Sequence, residues 1–222
     1  MFSYKFKLKL LKIVQIFFKI FNLKIYYSKD KNVLKNININ TIIDVGVAKG
    51  TNFLFSNFPN SKYLLIEPNK DYFEFIEKNI LNKYNAKLFK IGAGKKEENK
   101  ILNISGPISS LYKRKNFEFK NQYEIKVKKL DDILYDEKLD ENVLLKIDCE
   151  GAELDILEGS IKTLSITDYL IIEVRLQKIE TYNPSDLICF LKNQNFGWCE
   201  ILDIYYAKEG IDYIDILFKK FK

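Results

Sequence analysis

Histidine is absent from this sequence of 222 residues. A Ser–His or Cys–His catalytic pair is therefore excluded, because both need an imidazole to take the proton of the nucleophile. Any general base in the protein has to be an aspartate, a glutamate, a tyrosine or a lysine. The search for a reaction centre thus turns first to the acidic residues.

Cysteine is also scarce. Cys149, Cys189 and Cys199 have neither CxxC nor Cys/His spacing, so the sequence predicts no zinc site and no disulfide framework. We expect Cys149 to be a small buried thiol beside a strand end. This use of cysteine indicates a reducing, cytoplasmic environment.

Long hydrophobic runs are missing as well. The apolar N-terminal stretch has its longest uncharged run at residues 13–18, whereas a transmembrane helix needs about 20 apolar residues. No small-residue cleavage site follows it, so a signal peptide is not predicted either.

The positive charge is concentrated at the N-terminus. Residues 1–31 carry eight lysines and one aspartate, so the remainder of this +6 chain sums to −1. A nucleic-acid footprint spread over the fold is therefore not supported, and we expect no nucleic-acid partner. We predict a basic N-terminal segment, 1–31, and one domain, 32–222, because the length suits a single core.

Polar residues recur every three or four positions in the N-terminal segment and form one narrow stripe on a helix. Two interpretations stay open. The helix packs its apolar side on the domain or on a second copy of the chain, or it lies peripherally in the inner membrane surface, with its lysines near anionic head groups. The stripe consists of Lys5, Lys9, Lys12, Gln15, Lys19 and Asn22.

From residue 41 onward, short β-branched runs alternate with helical patterns. This alternation predicts an α/β fold, a Rossmann-like and mostly parallel sheet with helices on both faces. An extended excursion at 99–105 and 123–130 interrupts it, and the C-terminus predicts an antiparallel hairpin that turns near 208–210. The predicted strands are 41–47, 62–66, 87–91, 143–147 and 169–174, and the predicted helices are 71–84, 152–164 and one capped by Ser185 that runs to about 193.

The end of the first strand leads into Asp44-x-Gly46-x-x-x-Gly50. Glycines here let the chain turn sharply and bring backbone N–H groups close to a ligand. An acid replaces the first glycine of the dinucleotide fingerprint, which suits a cationic amino-acid moiety better than a pyrophosphate.

Two further strand ends carry compatible chemistry. The second strand ends at Glu67-Pro68, where a carboxylate can accept both hydrogen bonds of a ribose diol. The third offers Gly92 and Ala93, small residues that a flat adenine can approach. Together the three strand ends point to S-adenosylmethionine rather than NAD as the cofactor.

At these positions the sequence resembles the FkbM family of S-adenosylmethionine-dependent methyltransferases. The resemblance covers roughly residues 41 to 218. It implies a class I methyltransferase fold and O-methylation of sugars or natural products, hence a glycan or small-molecule acceptor. It is carried by IIDVGVAKGT (42–51), LLIEPNKDYFEFIEKNI (64–80), SGPISSLYK (105–113), VKKLDDIL (127–134) and above all LLKIDCEGAELDILEGS (144–160).

The resemblance also implies roles for single residues. One departure is that family members usually have Ala-Asn after the first glycine, where this chain has Val47-Ala48. The missing amide side chain puts one polar cofactor contact in question, although the backbone turn can survive. The implied cofactor contacts are Asp44, Gly46, Val47, Ala48, Gly50 and Thr51 in the turn, Glu67 and Pro68 at the ribose, Gly92 and Ala93 at the adenine, and Asp148 beside the methyl group.

Methyl transfer is an in-line displacement, in which the protein aligns the acceptor oxygen and removes its proton. Asp148, Glu150 and Glu173 are the candidates for the base, because each falls at or just after a predicted parallel strand. Glu150 also reads as a charge at a helix start, and Glu173 as a partner of Arg175. Glu153 is expected to be a helix charge. A divalent ion shared by these carboxylates stays open as a minor interpretation.

Ser109 and Ser110 lie in the excursion that should overhang the pocket. With Arg175 they are candidate contacts of a hydroxylated or anionic acceptor, and a solvated basic loop is the competing interpretation. The altered Val47-Ala48 and the basic N-terminus motivate a second function, a catalytically silent assembly partner at the membrane surface in polysaccharide synthesis.

Overall fold

Short runs of buried, β-branched residues form the central strands of the protein, as their composition predicts. The structure is a computed structural model that describes residues 31–106, 109–112, 119–176, 181–207 and 210–221. Its strands and α-helices are β1 Thr41–Val45, α1 Asn52–Asn57, β2 Lys62–Ile66, α2 Phe73–Ile76, β3 Ala86–Phe89, β4 Gly92–Ala93, β5 Glu98–Ile104, β6 Asn121–Lys128, α3 Leu130–Ile133, β7 Val143–Ile147, α4 Glu153–Glu158, α5 Ile161–Ile166, β8 Thr167–Arg175, α6 Pro184–Asn193, β9 Phe196–Ala207 and β10 Gly210–Lys220.

Seven strands form the main sheet, in the order β3-β2-β1-β7-β8-β10-β9. The first five are parallel to one another, and β10 runs antiparallel to both β8 and β9. The predicted fold class, a mostly parallel sheet that ends in an antiparallel hairpin, is confirmed. This order brings the carboxyl ends of β1, β2 and β7 to one edge of the sheet.

Alternating side chains of the parallel strands pack on opposite faces of the sheet. Ile43 and Leu145 belong to the core cluster on one face, and Ile42 and Leu144 belong to the cluster on the other. Both clusters are fully apolar at these positions, so the central strands are buried on both sides, as is typical of parallel sheets.

The predicted excursion forms a separate small sheet in the order β4-β6-β5, in which β5 and β6 are antiparallel. Leu102, Ile104, Ile125 and Val127 make a core of its own. The excursion therefore has a fold that supports it beside the main sheet.

The single helix predicted for 152–164 is wrong, because the chain breaks into α4 and α5. Gly159 lies between them and passes so close to Gly94 that a Cβ would lie 2.0 Å from its carbonyl oxygen. The next residue, Ser160, donates its hydroxyl to the carbonyl of Ile156. Close approach to another backbone thus overrides the helical period of the sequence.

Ser185 was predicted as the cap of the last helix, and this assignment is also wrong. Asn183 is the cap, and its side-chain oxygen accepts the backbone N–H of Ser185 at 3.2 Å. Pro184 is the first residue of α6. At this position a backbone N–H would have no partner within the helix, so the missing N–H of proline costs nothing. Smaller differences affect strand ends: β1 stops at Val45, β3 covers Ala86–Phe89, and β8 extends to Thr167–Arg175.

Several expectations fall outside the described residues. They include the membrane-surface contact or self-association through residues 1–31, the basic side chains of 113–115, and the hairpin turn at 208–209. Among the helices that the structure does describe, none combines the length and apolar character needed to cross a membrane.

We expect Gly159→Ala to destabilise the domain by roughly 1–3 kcal/mol, because the new methyl group collides with the backbone of Gly94 and not with a movable side chain. Urea unfolding followed by circular dichroism measures the change. Ser165→Ala, at an exposed position of α5, is the control and should stay within about 0.5 kcal/mol. Equal stability of the two variants would contradict the close approach.

Candidate functional site

A cleft opens at the carboxyl ends of β1, β2 and β7, the edge at which open α/β sheets bind ligands. Leu102 and Leu111 of the excursion and Ile156 of α4 give it apolar walls. The predicted site residues that line the cleft are Gly46, Ala48, Glu67, Pro68, Gly92, Ala93, Ser109, Asp148 and Glu150. Those outside this lining are Asp44, Val47, Gly50, Thr51, Ser110, Glu173 and Arg175.

The turn after β1 depends on left-handed backbone. Gly46 has a φ of 85° and Gly50 a φ of 95°, which glycine adopts without a steric penalty. Steric crowding also excludes any side chain at Gly46, since a Cβ there would lie 2.0 Å from the carbonyl oxygen of Asp148. Ala48, with a φ of 47°, donates its N–H to Oε2 of Glu67 at 2.7 Å. The turn thereby ties three strand ends together.

Lys146 is a buried cation that sequence reasoning missed. It lies directly opposite Asp44 in the register of β7 and β1, and its Nζ is 3.5 Å from Oδ1 of Asp44 and 3.3 Å from Oδ2 of Asp148. The hydroxyl of Thr51 donates to the other oxygen of Asp44 at 2.8 Å. Asp44 and Thr51 therefore hold the turn from beneath.

The charge of Lys146 is stabilised by its neighbours. Burial would lower the pKa of this amine, but the carboxylates of Asp148 and Asp44 outweigh burial and hold the pKa above its ordinary value. Lys146 is therefore charged at neutral pH. The one signal for it in the sequence is a lysine inside an otherwise apolar strand, LLKI (144–147).

Glu67 is buried at the end of β2 and lines the cleft. Its two oxygens each accept a backbone N–H, from Ala48 and from Asn69, both at 2.7 Å. Burial raises the pKa of Glu67 to about 7, although the two N–H groups oppose the shift. The carboxyl group is thus poised between its charged and neutral forms near neutral pH.

The loop after β7 is held from inside by Glu153. This side chain is fully buried and accepts the N–H of Cys149 at 3.0 Å and that of Gly151 at 3.0 Å. Glu150 and Gly151 both have left-handed backbone, with φ of 55° and 108°. Glu153 was expected to be a helix charge, but it is the residue that fixes the shape of this loop.

Three acidic side chains lie close to the guanidinium of Arg175. Its guanidinium forms an ion pair with Glu150, lies 3.2 Å from Glu173 and lies 3.7 Å from Asp212. Burial and the charge of Asp148 raise the pKa of Glu173 to about 9, against the opposing effect of Arg175. The raised pKa of Glu173 favours the neutral form of this carboxyl group, which reduces the repulsion between the acids that surround Arg175.

The three candidate bases thus differ in their surroundings. The side chain of Asp148 is 39% exposed and faces the cleft. Those of Glu150 and Glu173 are 10% and 6% exposed and lie against Arg175. Of the three, Asp148 is the carboxylate most exposed to a ligand in the cleft, since Glu150 also lines the cleft but is largely covered.

Hydrogen bonds join residues 109–112 of the excursion to the loop after β7 and to α4. Ser110 is buried, and its hydroxyl donates to the carbonyl of Glu150 at 2.8 Å. Tyr112 donates to Asp155 at 2.5 Å. Ser109 lines the cleft, 3.4 Å from the side-chain nitrogen of Asn69. Of the two predicted serines, Ser109 is therefore the one within reach of a ligand.

Metal ligation was left open by the sequence. Across the ranges that the structure describes, no group of three or more histidine, cysteine, aspartate or glutamate residues is arranged to hold a metal ion.

We expect Glu153→Ala to lower the free energy of unfolding by about 2–4 kcal/mol, because two buried N–H groups lose their acceptor. Urea unfolding measures this loss. Glu158→Ala, on the same helix, removes only a surface ion pair with Lys95 and should cost less than about 1 kcal/mol. Similar losses in both variants would show that Glu153 is an ordinary helix charge.

Solved structures with this fold include methyltransferases. The FkbM methyltransferase of Methylobacillus flagellatus KT shares 16% identity and a TM-score of 0.51, over 81% of this chain and 43% of that one. Precorrin-6y C5,15-methyltransferase of Geobacter metallireducens GS-15 shares 12% identity and a TM-score of 0.49, over 86% and 85% of the chains. Magnesium protoporphyrin IX methyltransferase of Synechocystis PCC 6803, solved with S-adenosylmethionine, shares 8% identity and a TM-score of 0.48, over 84% and 72%.

The similarity to the Methylobacillus protein, at 16% identity, shows the fold alone. The chain spans less than half the length of the Methylobacillus protein. No curated protein sequence matches the chain. The profile of the methyltransferase FkbM domain, however, matches residues 44–197. Because that match spans more than half of the sequence and includes each described residue that lines the cleft, the protein belongs to the FkbM methyltransferase family.

Proposed function

We propose that the protein is an S-adenosylmethionine-dependent O-methyltransferase that acts on a hydroxyl group of a sugar, a glycan or another small metabolite. One observation carries the proposal. Glu67 and Asp148 stand at two strand ends of one cleft, on either side of the left-handed turn after β1. Family membership supports methyl transfer in general, and the residues of the cleft support the finer assignment.

The donors and acceptors of the cleft fit the proposed cofactor. Each oxygen of Glu67 holds one N–H and keeps a further lone pair for a ribose hydroxyl. Gly92, Ala93 and Leu102 line the same cleft and suit a flat, apolar adenine. Asp148 is the acid that suits the cationic end. When bound, the cofactor supplies an electrophilic methyl group on a sulfonium.

Asp148 is the proposed base. Lys146 holds Oδ2 of this carboxylate, which leaves the other oxygen to accept the proton of the acceptor hydroxyl. Ser109 lines the same cleft and is the proposed contact of the acceptor. Glu150 and Arg175 are proposed to act indirectly, because their ion pair fixes the loop after β7 on which Asp148 lies.

Asp148→Asn should reduce methyl transfer by at least about 100-fold, the usual contribution of a positioned base. The assay is the release of S-adenosylhomocysteine in the presence of a panel of monosaccharides and nucleotide sugars. Asp136→Asn, at an exposed position, is the matched control and should keep full activity. Full activity of Asp148→Asn would remove this residue from the reaction.

We expect the affinity for S-adenosylmethionine to fall as the pH is lowered through about 7. The pKa of Glu67 is raised to about 7, so the ionised form that accepts two ribose hydroxyls is lost below this pH. The loss should approach about tenfold per pH unit. Isothermal titration calorimetry between pH 5.5 and pH 8.5 measures it.

Glu67→Gln should bind more weakly at high pH and show a flat pH dependence. The control is Glu74→Gln, which removes an exposed carboxylate and should keep the slope of the unsubstituted protein. A slope that persists in Glu67→Gln would assign the pH dependence to another group.

A catalytically silent assembly partner is the second candidate. It is favoured by the left-handed Ala48, which has no side-chain amide to offer a cofactor. Residues 1–31 would then give the cytoplasmic protein its contact with the inner membrane surface. Calorimetry separates the two candidates, since a silent protein of this kind would not bind S-adenosylmethionine.

A further inference from the structure

Three charged groups meet beneath the end of the cleft where Asp148 lies. The ammonium of Lys146 lies between the carboxylates of Asp44 and Asp148, at 3.5 Å and 3.3 Å. Asp44 is fully buried and Lys146 is 7% exposed, whereas Asp148 is 39% exposed, so water screens the pair of Asp44 and Lys146 little and Asp148 more. Thr51 adds a neutral hydroxyl on the far side of Asp44.

The charges of this group do not cancel. Two carboxylates and one ammonium leave one net negative charge at the corner where β1 and β7 end. A sulfonium carries one positive charge and a thioether carries none. A net negative charge close by, in a site of low dielectric, therefore favours the first over the second by a measurable factor.

The lysine also limits how negative the corner becomes. Without it, two carboxylates would act on the sulfonium. They would stabilise the positive charge of the bound reactant more than that of the transition state, in which this charge is leaving the sulfur, and such stabilisation slows the chemical step. One net negative charge is a compromise between cofactor binding and reactivity.

We propose that Lys146 is a positioning residue that sets the net charge of this corner, and thereby the preference of the site for a sulfonium over a neutral thioether. The inference rests on the proposed use of S-adenosylmethionine. It assigns to Lys146 a role in discriminating the reactant from the spent cofactor, in addition to orienting Asp148.

The test compares two dissociation constants, those of S-adenosylmethionine and S-adenosylhomocysteine, by calorimetry at pH 8.5. Lys146→Met keeps the length of the side chain and removes its charge. It should raise the preference for S-adenosylmethionine by about tenfold. Lys146→Arg keeps the charge and should leave the ratio within about twofold.

Two variants of Asp44 separate charge from folding. Asp44→Asn leaves no net charge at the corner and should lower the preference by about tenfold. Asp44→Asn combined with Lys146→Met restores one net negative charge, so the ratio should return to that of the unsubstituted protein. Circular dichroism checks the fold of each variant, and if Lys146→Met does not fold, the two Asp44 variants decide.

A purely structural role of Lys146 predicts a different pattern. Both ligands would then weaken in parallel, the ratio would stay constant, and the double variant would be the poorest binder; this outcome overturns the inference and leaves the proposed function intact. Failure of the unsubstituted protein to bind S-adenosylmethionine overturns the proposed function and the inference with it.

Discussion

The cleft depends on a contact between the ends of two neighbouring parallel strands. Gly46 passes the carbonyl of Asp148 so closely that no side chain fits, and two residues earlier on each strand the buried ammonium of Lys146 joins Asp44 to Asp148. A buried ion pair stabilises a fold only weakly, because desolvation offsets its Coulombic attraction. The value of this one lies in its placement, since it holds a cleft-facing carboxylate against the turn after β1.

The acidic side chains after β7 differ in burial and in the groups that they contact. Asp148 faces the cleft, Glu150 turns back to Arg175, and Glu153 satisfies the N–H groups of the loop from inside. Glu150 adopts a left-handed backbone that costs a non-glycine residue about 1 kcal/mol or more. Contacts at both its ends, with Arg175 and with Ser110, over-determine that conformation. Three acids that look alike in the sequence thus have three different roles.

Local patterns predicted the parallel sheet and the cleft-lining acids Glu67 and Asp148. Strand periodicity and strand ends depend only on residues that are close in sequence, so the sequence alone shows them. They did not predict the break at Gly159, which depends on the backbone of Gly94, a residue 65 positions away. They also missed Lys146, whose partner Asp44 is brought opposite it only by the pairing of β1 with β7. The sequence of β7 alone shows an unusual lysine in an apolar strand, but it does not identify the partner of that lysine on β1.

Val47 and Ala48 contribute to the turn after β1 in different ways. Val47 packs in the core beneath the turn, so its side chain was never available to a ligand. Ala48 offers no side-chain amide, but its backbone N–H holds Glu67. A left-handed alanine strains the turn slightly, whereas the loss of that N–H would leave a buried carboxylate without one of its two donors. The alanine therefore keeps the backbone frame on which the end of β2 depends, and the missing side-chain amide leaves that frame unchanged.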